Sequence, residues 1–372
     1  PQMIFHCRIF PLLSKKVVIE KVILHRPQIN LKRDELNKVG FSGDRSPGER
    51  PVVPEQDSAA LSTDLTAVSF SVNRLTVEDG KLTMRDNAES SSQLLTTVLH
   101  RLDLTGFDFS LVSPFSFNLT TQIDSAPLSR ATLEAVVNPS DKRVTSKLEI
   151  QTDSTPQCRA QVDSDMAVKD SLLMIEQLTV ISGDSTITLK GTLQNFFSGP
   201  LAGQLHVTSP ALVIDEIISC VNVMENADEI DQDEDRGEER DEGKGVLKSF
   251  FLEGADIDTD LVIDRIGYGN VDIFEVKATC GIHDNTVDLQ LVQGILGDGL
   301  LKGKGRSASG VDGLDYSVHL TGNNLQLNTI VAAVSPGVKG DFRGFTDFTV
   351  DLNGSGTTQE SFKKHLKGEG EI

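Results

Sequence analysis

The chain has no tryptophan and only two tyrosines among 372 residues. Helical enzymes with aromatic-lined pockets rarely have such a composition, whereas many short strands joined by turns fit it. Positive charge is also scarce: 35 Lys and Arg against 55 Asp and Glu leave a net charge of −20. Nucleic acid needs a basic face for its phosphates, so it is excluded as a partner, and broad electrostatic docking on anionic lipid is disfavoured. No apolar run approaches the roughly 18 residues of a spanning helix. No signal peptide is visible. The chain starts at Pro1 and stops in "GEGEI", which reads as a strand. Both ends read as cut, so the absence of an anchor in this piece says little about the whole protein.

Cysteine is sparse. Cys7, Cys158, Cys220 and Cys280 lie far apart, with no C-x-x-C pair and no zinc spacing. They read as separate buried or free thiols; an oxidising compartment permits a disulfide, but the sequence cannot pair them. The histidines His6, His25, His100, His206, His283, His319 and His365 lack metal spacing such as H-E-x-x-H. No G-x-S-x-G elbow occurs, so no constellation supports an enzyme, and no cofactor is expected.

Glycine is abundant, with 31 residues. "GILGDGLLKGKG" (residues 294–305) looks at first like a phosphate loop. Gly299 and Gly303 are separated by three residues rather than four, and Gly305 stands where Ser or Thr would reach Mg²⁺. G-x-G-x-x-G fails too, because Lys302 follows at its last position, and no helix opens after the stretch. The glycines read instead as a strand-to-strand turn needing positive φ, followed by a Lys-Gly strand ending.

Extended patterns dominate. "VVIEKVILHRPQINLKRD" reads as two strands broken at Pro27. "FSVNRLTVEDGKLTMRD" alternates on both sides of Asp79-Gly80, the strongest short hairpin signal. Similar runs recur every ten to fifteen residues, as in an all-β chain. "GIHDN" is a turn candidate. "NGSG" at residues 353–356 reads as a turn before a helix, "TTQESFKKHLKG", with Thr357 and Glu360 as capping box and Gly368 beyond its end.

One segment breaks the pattern. Eleven residues between Glu225 and Glu242 are acidic. Repelling charges with nothing apolar to pack read as a solvated linker. Asp231, Asp233, Asp235 and Glu242 also match calcium-loop positions, but Arg236 stands where the loop's turn needs glycine.

An internal repeat carries more weight. "GQLHVTSPALVIDEII" (residues 203–218) matches "YSVHLTGNNLQLNTIV" (residues 316–331) at a constant offset of 113. Leu205 pairs with Val318, Val207 with Leu320, Leu212 with Leu325, Ile214 with Leu327. Each copy reads as a strand, a turn and a short helix, with Ser209 and Pro210 as N-cap and first helical residue in copy one. Upstream, "GDSTITLKG" matches "GDGLLKG". His206 and His319, paired by the repeat, point to the polar strand face.

Alternation in "TVDLQL" puts Val287, Leu289 and Leu291 on one face. Leu205 and Val207, and Val318 and Leu320, behave likewise. The expected fold is mainly β: a long curved antiparallel sheet or β-groove built from repeated units, with a few short helices. Such a sheet must bury its apolar face. A groove holding acyl chains is one solution; a sandwich or helix-covered sheet is equally allowed by composition. The expected organisation is an N-terminal strand segment (1–39), a flexible loop (40–66), a first β unit (67–221), the acidic linker (222–247) and a second β unit (248–372).

These features resemble the AsmA family of Gram-negative envelope proteins, within a wider group of AsmA-like and TamB-like β-groove proteins. "PLLSKKVVIEKVILHRPQINLKRD" is similar to the family's segment after its membrane anchor. "VNRLTVEDGKLTMRD" is similar to its G-containing hairpin. "GPLAGQLHVTSPALVIDEII" is similar to its strand and leucine-rich helix, and "FRGFTDFTVDLNGSGTTQESFKKHLKGEGEI" to its ending. The chain departs from the family by its acidic insert and by lacking the N-terminal transmembrane helix. The resemblance implies a periplasm-facing protein tied to the inner membrane by an anchor missing from this chain. It implies a role in outer-membrane assembly and in moving phospholipid between membranes along a hydrophobic β-groove. Leu205, Val207, Val287, Leu289, Leu291, Val318 and Leu320 would line that groove. A structural module that binds envelope proteins is the alternative.

Overall fold

Valine, isoleucine, threonine and phenylalanine at alternate positions favour a pleated, half-buried surface, and the described residues form little else. The computed structural model describes residues 2–8, 16–33, 39–41, 69–86, 96–123, 129–152, 158–170, 172–196, 200–225, 254–310, 313–334, 343–356 and 364–371. The fold is mainly β, mostly antiparallel and unclosed, as expected. It divides into two compact units. The first is Pro1–Asp124 with Leu128–Ile150, and the second is Ser125–Pro127 with Gln151–Ile372.

The first unit contains β1 (Gln2–Arg8), β2 (Lys16–His25), β3 (Gln28–Arg33), β4 (Val39–Phe41), β5 (Ser69–Asp86), β6 (Thr96–Ser110), β7 (Phe115–Ile123), β8 (Ser129–Asn138) and β9 (Arg143–Thr152). β2 and β3 both run parallel to β5, one along each half. The break between them is at Arg26-Pro27, as the sequence predicts. Asp79-Gly80 is not the expected hairpin. β5 runs straight through it, with register shifts against β6 between Val77 and Gly80 and between Gly80 and Leu82. Asp79 sits at φ 53° and Arg26 beside it at φ 50°. The Arg26 N–H donates to the Glu78 carbonyl at 2.8 Å, and the Asp79 N–H donates to Asp103 Oδ1 at 2.9 Å. Neighbouring strands on both sides hold the dipeptide in the sheet, so it becomes a bulge rather than a turn. Val39–Phe41 is a strand, although the expected loop begins at residue 40; most of that loop lies outside the described residues.

The second unit contains β10 (Arg159–Lys169), β11 (Leu172–Ser182), β12 (Ser185–Gln194), β13 (Ala202–Val213), α1 (Ile214–Glu225), β14 (Asp256–Tyr268), β15 (Val271–His283), β16 (Thr286–Leu296), β17 (Gly299–Gly310), β18 (Gly313–Gln326), α2 (Leu327–Val334), β19 (Phe345–Ser355) and β20 (Lys367–Glu371). Each strand pairs antiparallel with the next, except that β13 and β14 are parallel. The strands on either side of the acidic segment therefore pair directly. The boundary between compact units falls near residues 124–151, not at that segment.

The repeat holds in three dimensions. β13 runs into α1 at Ile214, and β18 runs into α2 at Leu327, its partner at the offset of 113. Both strands enter their helix without the expected turn, and Ser209 and Pro210 lie inside β13 rather than at a helix start. The two-residue turns Gly183-Asp184 and Gly297-Asp298 precede β12 and β17, with glycine at φ 57° and 60°. That is the conformation glycine adopts without steric cost. In copy one Glu216 Oε2 accepts the Asp184 N–H at 3.0 Å. In copy two Gln326 donates to Asp298. Each helical end is thereby fixed to the hairpin turn of its own copy. Asp284 and Asn285, in the expected "GIHDN" turn, both have positive φ (45° and 63°), the requirement of a type I′ hairpin. Residues 353–355 of "NGSG" are strand, in β19, and Gly368 lies in β20; most of the expected helix after them is outside the described residues.

Candidate functional site

Residues directly opposite each other on paired strands share a face of the sheet. Following the register across the second unit therefore tests the alternation argument. One row reads Met166, Ile175, Gly191, Leu205, Thr259, Cys280, Leu289, Gly305, Val318, Leu352 and Gly368, one residue from each of β10 to β20. The next row runs through Leu178, Leu189, Val207, Leu261, Ala278, Val292, Gly303, Leu320 and Val350. Val287 lies one row further on, opposite Ile282 and Ser307. Six of the seven expected groove residues thus share one apolar face.

Leu291 does not. The register shifts between Thr279 and Cys280: Cys280 faces Leu289, but Thr279 faces Leu291. A second shift between Leu289 and Val292 against β17 shows the same irregularity. Gln290 is the extra residue of a bulge, which sends Leu291 to the opposite face and Val292 to the apolar one. The signal was present in the sequence. In "LQLVQG" the apolar residues change from odd to even positions at Leu291-Val292.

The glycines in these rows leave room for large neighbours. A Cβ built on Gly303 would lie 2.7 Å from Leu320 Cδ2, and one on Gly368 would lie 2.7 Å from Leu352 Cδ2. A Cβ on Gly191 would strike the Gln204 carbonyl. The Lys-Gly pairs are therefore mid-strand features, in β12 and β17, rather than the strand endings expected. Glycine faces the apolar side and lysine the polar side.

The apolar face is only partly self-covered. Leu173, Ile175, Leu193, Ala255 and Ile257 form a buried cluster, against which Leu178, Leu189 and Leu205 pack. Towards β16 the face opens, and Leu289 is 37% exposed. Among the described residues no second sheet packs on it; the helices make their main contacts with β14, β15 and β18.

Cys280 sits in the middle of the first row and is free, as is the exposed Cys7. Burial, reinforced by the Asp288 carboxylate, pushes the Cys280 thiol above its ordinary pKa. Cys158 and Cys220 are joined as a disulfide, with Cα atoms 5.6 Å apart. This corrects the expectation of four separate thiols. The bond links the start of β10 to α1, which sit near each other only after strand pairing, so spacing alone carried no signal.

The polar face carries charge. Asp256, Asp258 and Asp260 line β14, and Lys302, Lys304 and Arg306 line β17. His319 is on this face, as expected, with Nδ1 2.6 Å from Asp351 Oδ1. His206 is exposed on it too. No cluster of metal-ligating side chains occurs among the described residues. The calcium candidates Asp231, Asp233, Asp235 and Glu242 lie outside them. No helix among the described residues is long and apolar enough to cross a membrane. No family model, curated protein or solved structure matches this chain.

Proposed function

We propose that this chain is a non-enzymatic, lipid-handling protein of the Gram-negative cell envelope, of AsmA type, which carries phospholipid along the apolar face of its second unit. The observation that carries this reading is the pair of apolar rows, one crossing β10 to β20 and the other β11 to β19, on which no second sheet packs among the described residues. Acyl chains would lie on those rows while head groups stay in water. Each methylene removed from water contributes about 0.8 kcal/mol, so a chain gains steadily wherever it lies along the face. Ten strand spacings of about 4.8 Å make the first row on the order of 50 Å long, and eight make the second about 40 Å. One leaflet's hydrocarbon is roughly 15 Å thick, half of a bilayer core. A row is therefore long enough for a chain to slide across strands without leaving apolar surface.

Two further points support the setting. The resemblance to AsmA proteins implies a periplasm-facing protein tied to the inner membrane and engaged in outer-membrane assembly. The Cys158–Cys220 disulfide fits an oxidising compartment such as the periplasm.

The test is to purify the chain from cells with native membranes and extract bound lipid for mass spectrometry. Phospholipid retained in proportion to protein supports the reading. Protein that captures envelope proteins but no lipid would favour an interaction module instead.

A further inference from the structure

Leu291 is 49% exposed on the charged face of the sheet, where the β16 bulge places it. Its surroundings are ordered by charge. In its row Asp260 faces Thr279 and Thr279 faces Leu291; Lys304 follows on β17, beside His319. One row along, the order is Asp258, Gly281, Asp288 and Arg306. β14 thus presents acid, β17 presents base, and an exposed leucine stands between them.

These charges are little used within the chain. Asp260 and Lys304 make no ion pair among the described residues. Asp258 comes only within 3.7 Å of His283, and Arg306 within 3.6 Å of Asp288. A shallow cleft at β17 is lined by Lys304, Arg306 and His319 together with Asp288 and Asp351.

We infer that this polar face is a two-fold interface with a second copy of the chain. An axis parallel to the strands, midway between β15 and β16, keeps every row at its own height and reverses the strand order. β14 then faces the partner's β17, and β15 faces the partner's β16. Asp260 meets the partner's Lys304, Asp258 meets the partner's Arg306, and Leu291 lies over the partner's Thr279, close to the partner's Leu291. Every contact occurs twice, which is the self-complementarity an isologous interface requires. The partner's carboxylates meet Lys304 and Arg306 at this cleft, beside its own Asp288 and Asp351. The leucines supply the central desolvated contact, and the charge pairs set the register. The surface involved is opposite the apolar rows, so this inference stands or falls separately from the lipid reading.

The test is sedimentation equilibrium of the full chain over a concentration series, with circular dichroism confirming the fold of each variant. The wild type is expected to form a dimer. Asp260→Lys and Lys304→Asp should each weaken it about tenfold or more, as should Leu291→Ser. The double variant Asp260→Lys/Lys304→Asp should recover association, because the exchanged charges meet again across the axis. A wild type that stays monomeric throughout overturns the inference. So does a dimer indifferent to either reversal, or a double variant no tighter than the singles.

Discussion

The two faces of the second unit come from the same strands and the same registers, yet they differ in almost every chemical respect. One is apolar from Met166 to Leu352, with glycines opposite its leucines. The other carries Asp258, Asp260, Lys302, Lys304 and Arg306. A step of one residue separates the faces, so a single bulge moves a leucine from one chemistry to the other. Function on such a sheet depends on register rather than on composition.

The largest effect should come from placing charge on the apolar face. Val207→Asp puts a carboxylate between Leu189 and Leu261. It should cost about 3 kcal/mol or more in urea unfolding, while His206→Ser on the opposite face should stay within about 0.5 kcal/mol. Equal effects at both positions would mean that the faces are not distinct environments.

Cys158→Ser opens the link between β10 and α1. Closing a loop across a separation of 62 residues typically contributes about 2–4 kcal/mol. Stability should fall by that amount, and reductant should lower the wild type to match. Lipid retained per folded molecule should not change, because neither row loses a side chain.

Gly303→Ala sharpens the comparison at a single strand. Its Cβ would meet Leu320 Cδ2 at 2.7 Å, and overpacking of this kind costs about 1–3 kcal/mol. Lys302→Ala, one residue away on the polar face, should cost less than about 0.5 kcal/mol. Thermal unfolding of the two variants distinguishes them.

Much of this was legible in the sequence because period-two patterning and turn chemistry are local. The strands, the break at Pro27, the Gly297 and Asp284-Asn285 turns and the repeat offset of 113, which joins a strand to a helix in each copy, all follow from neighbouring residues, although Ser209-Pro210 pointed to a helix start four residues too early. What was not legible depends on neighbours in space. Asp79-Gly80 has the composition of a hairpin, but β2 and β3 on one side and β6 on the other keep β5 extended through it. The parallel pairing of β13 with β14 joins residues that the acidic segment separates. The disulfide joins a strand start to a helix that meets it only in the folded unit. Leu291 is the intermediate case: its parity change is written in the sequence, but only the register against Thr279 shows which way it turns.

A smaller effect is expected from the native cysteines. Cys280 lies in an apolar row with its thiol pKa raised by burial and by Asp288, so little thiolate is present near neutral pH. Iodoacetamide should modify exposed Cys7 faster than Cys280, and the Cys280 rate should climb as pH rises. Added phospholipid should slow Cys280 alone. Protection of both cysteines, or of neither, would remove this support for a lipid on the apolar face.

The most direct test uses Leu289 and Leu291, which are two residues apart in sequence and on opposite faces. Bound phospholipid is measured by mass spectrometry in Leu289→Asp and Leu291→Asp, purified side by side. The account predicts that Leu289→Asp loses most of its lipid and Leu291→Asp keeps the wild-type amount. Equal retention in the two variants, or loss confined to Leu291→Asp, would contradict it.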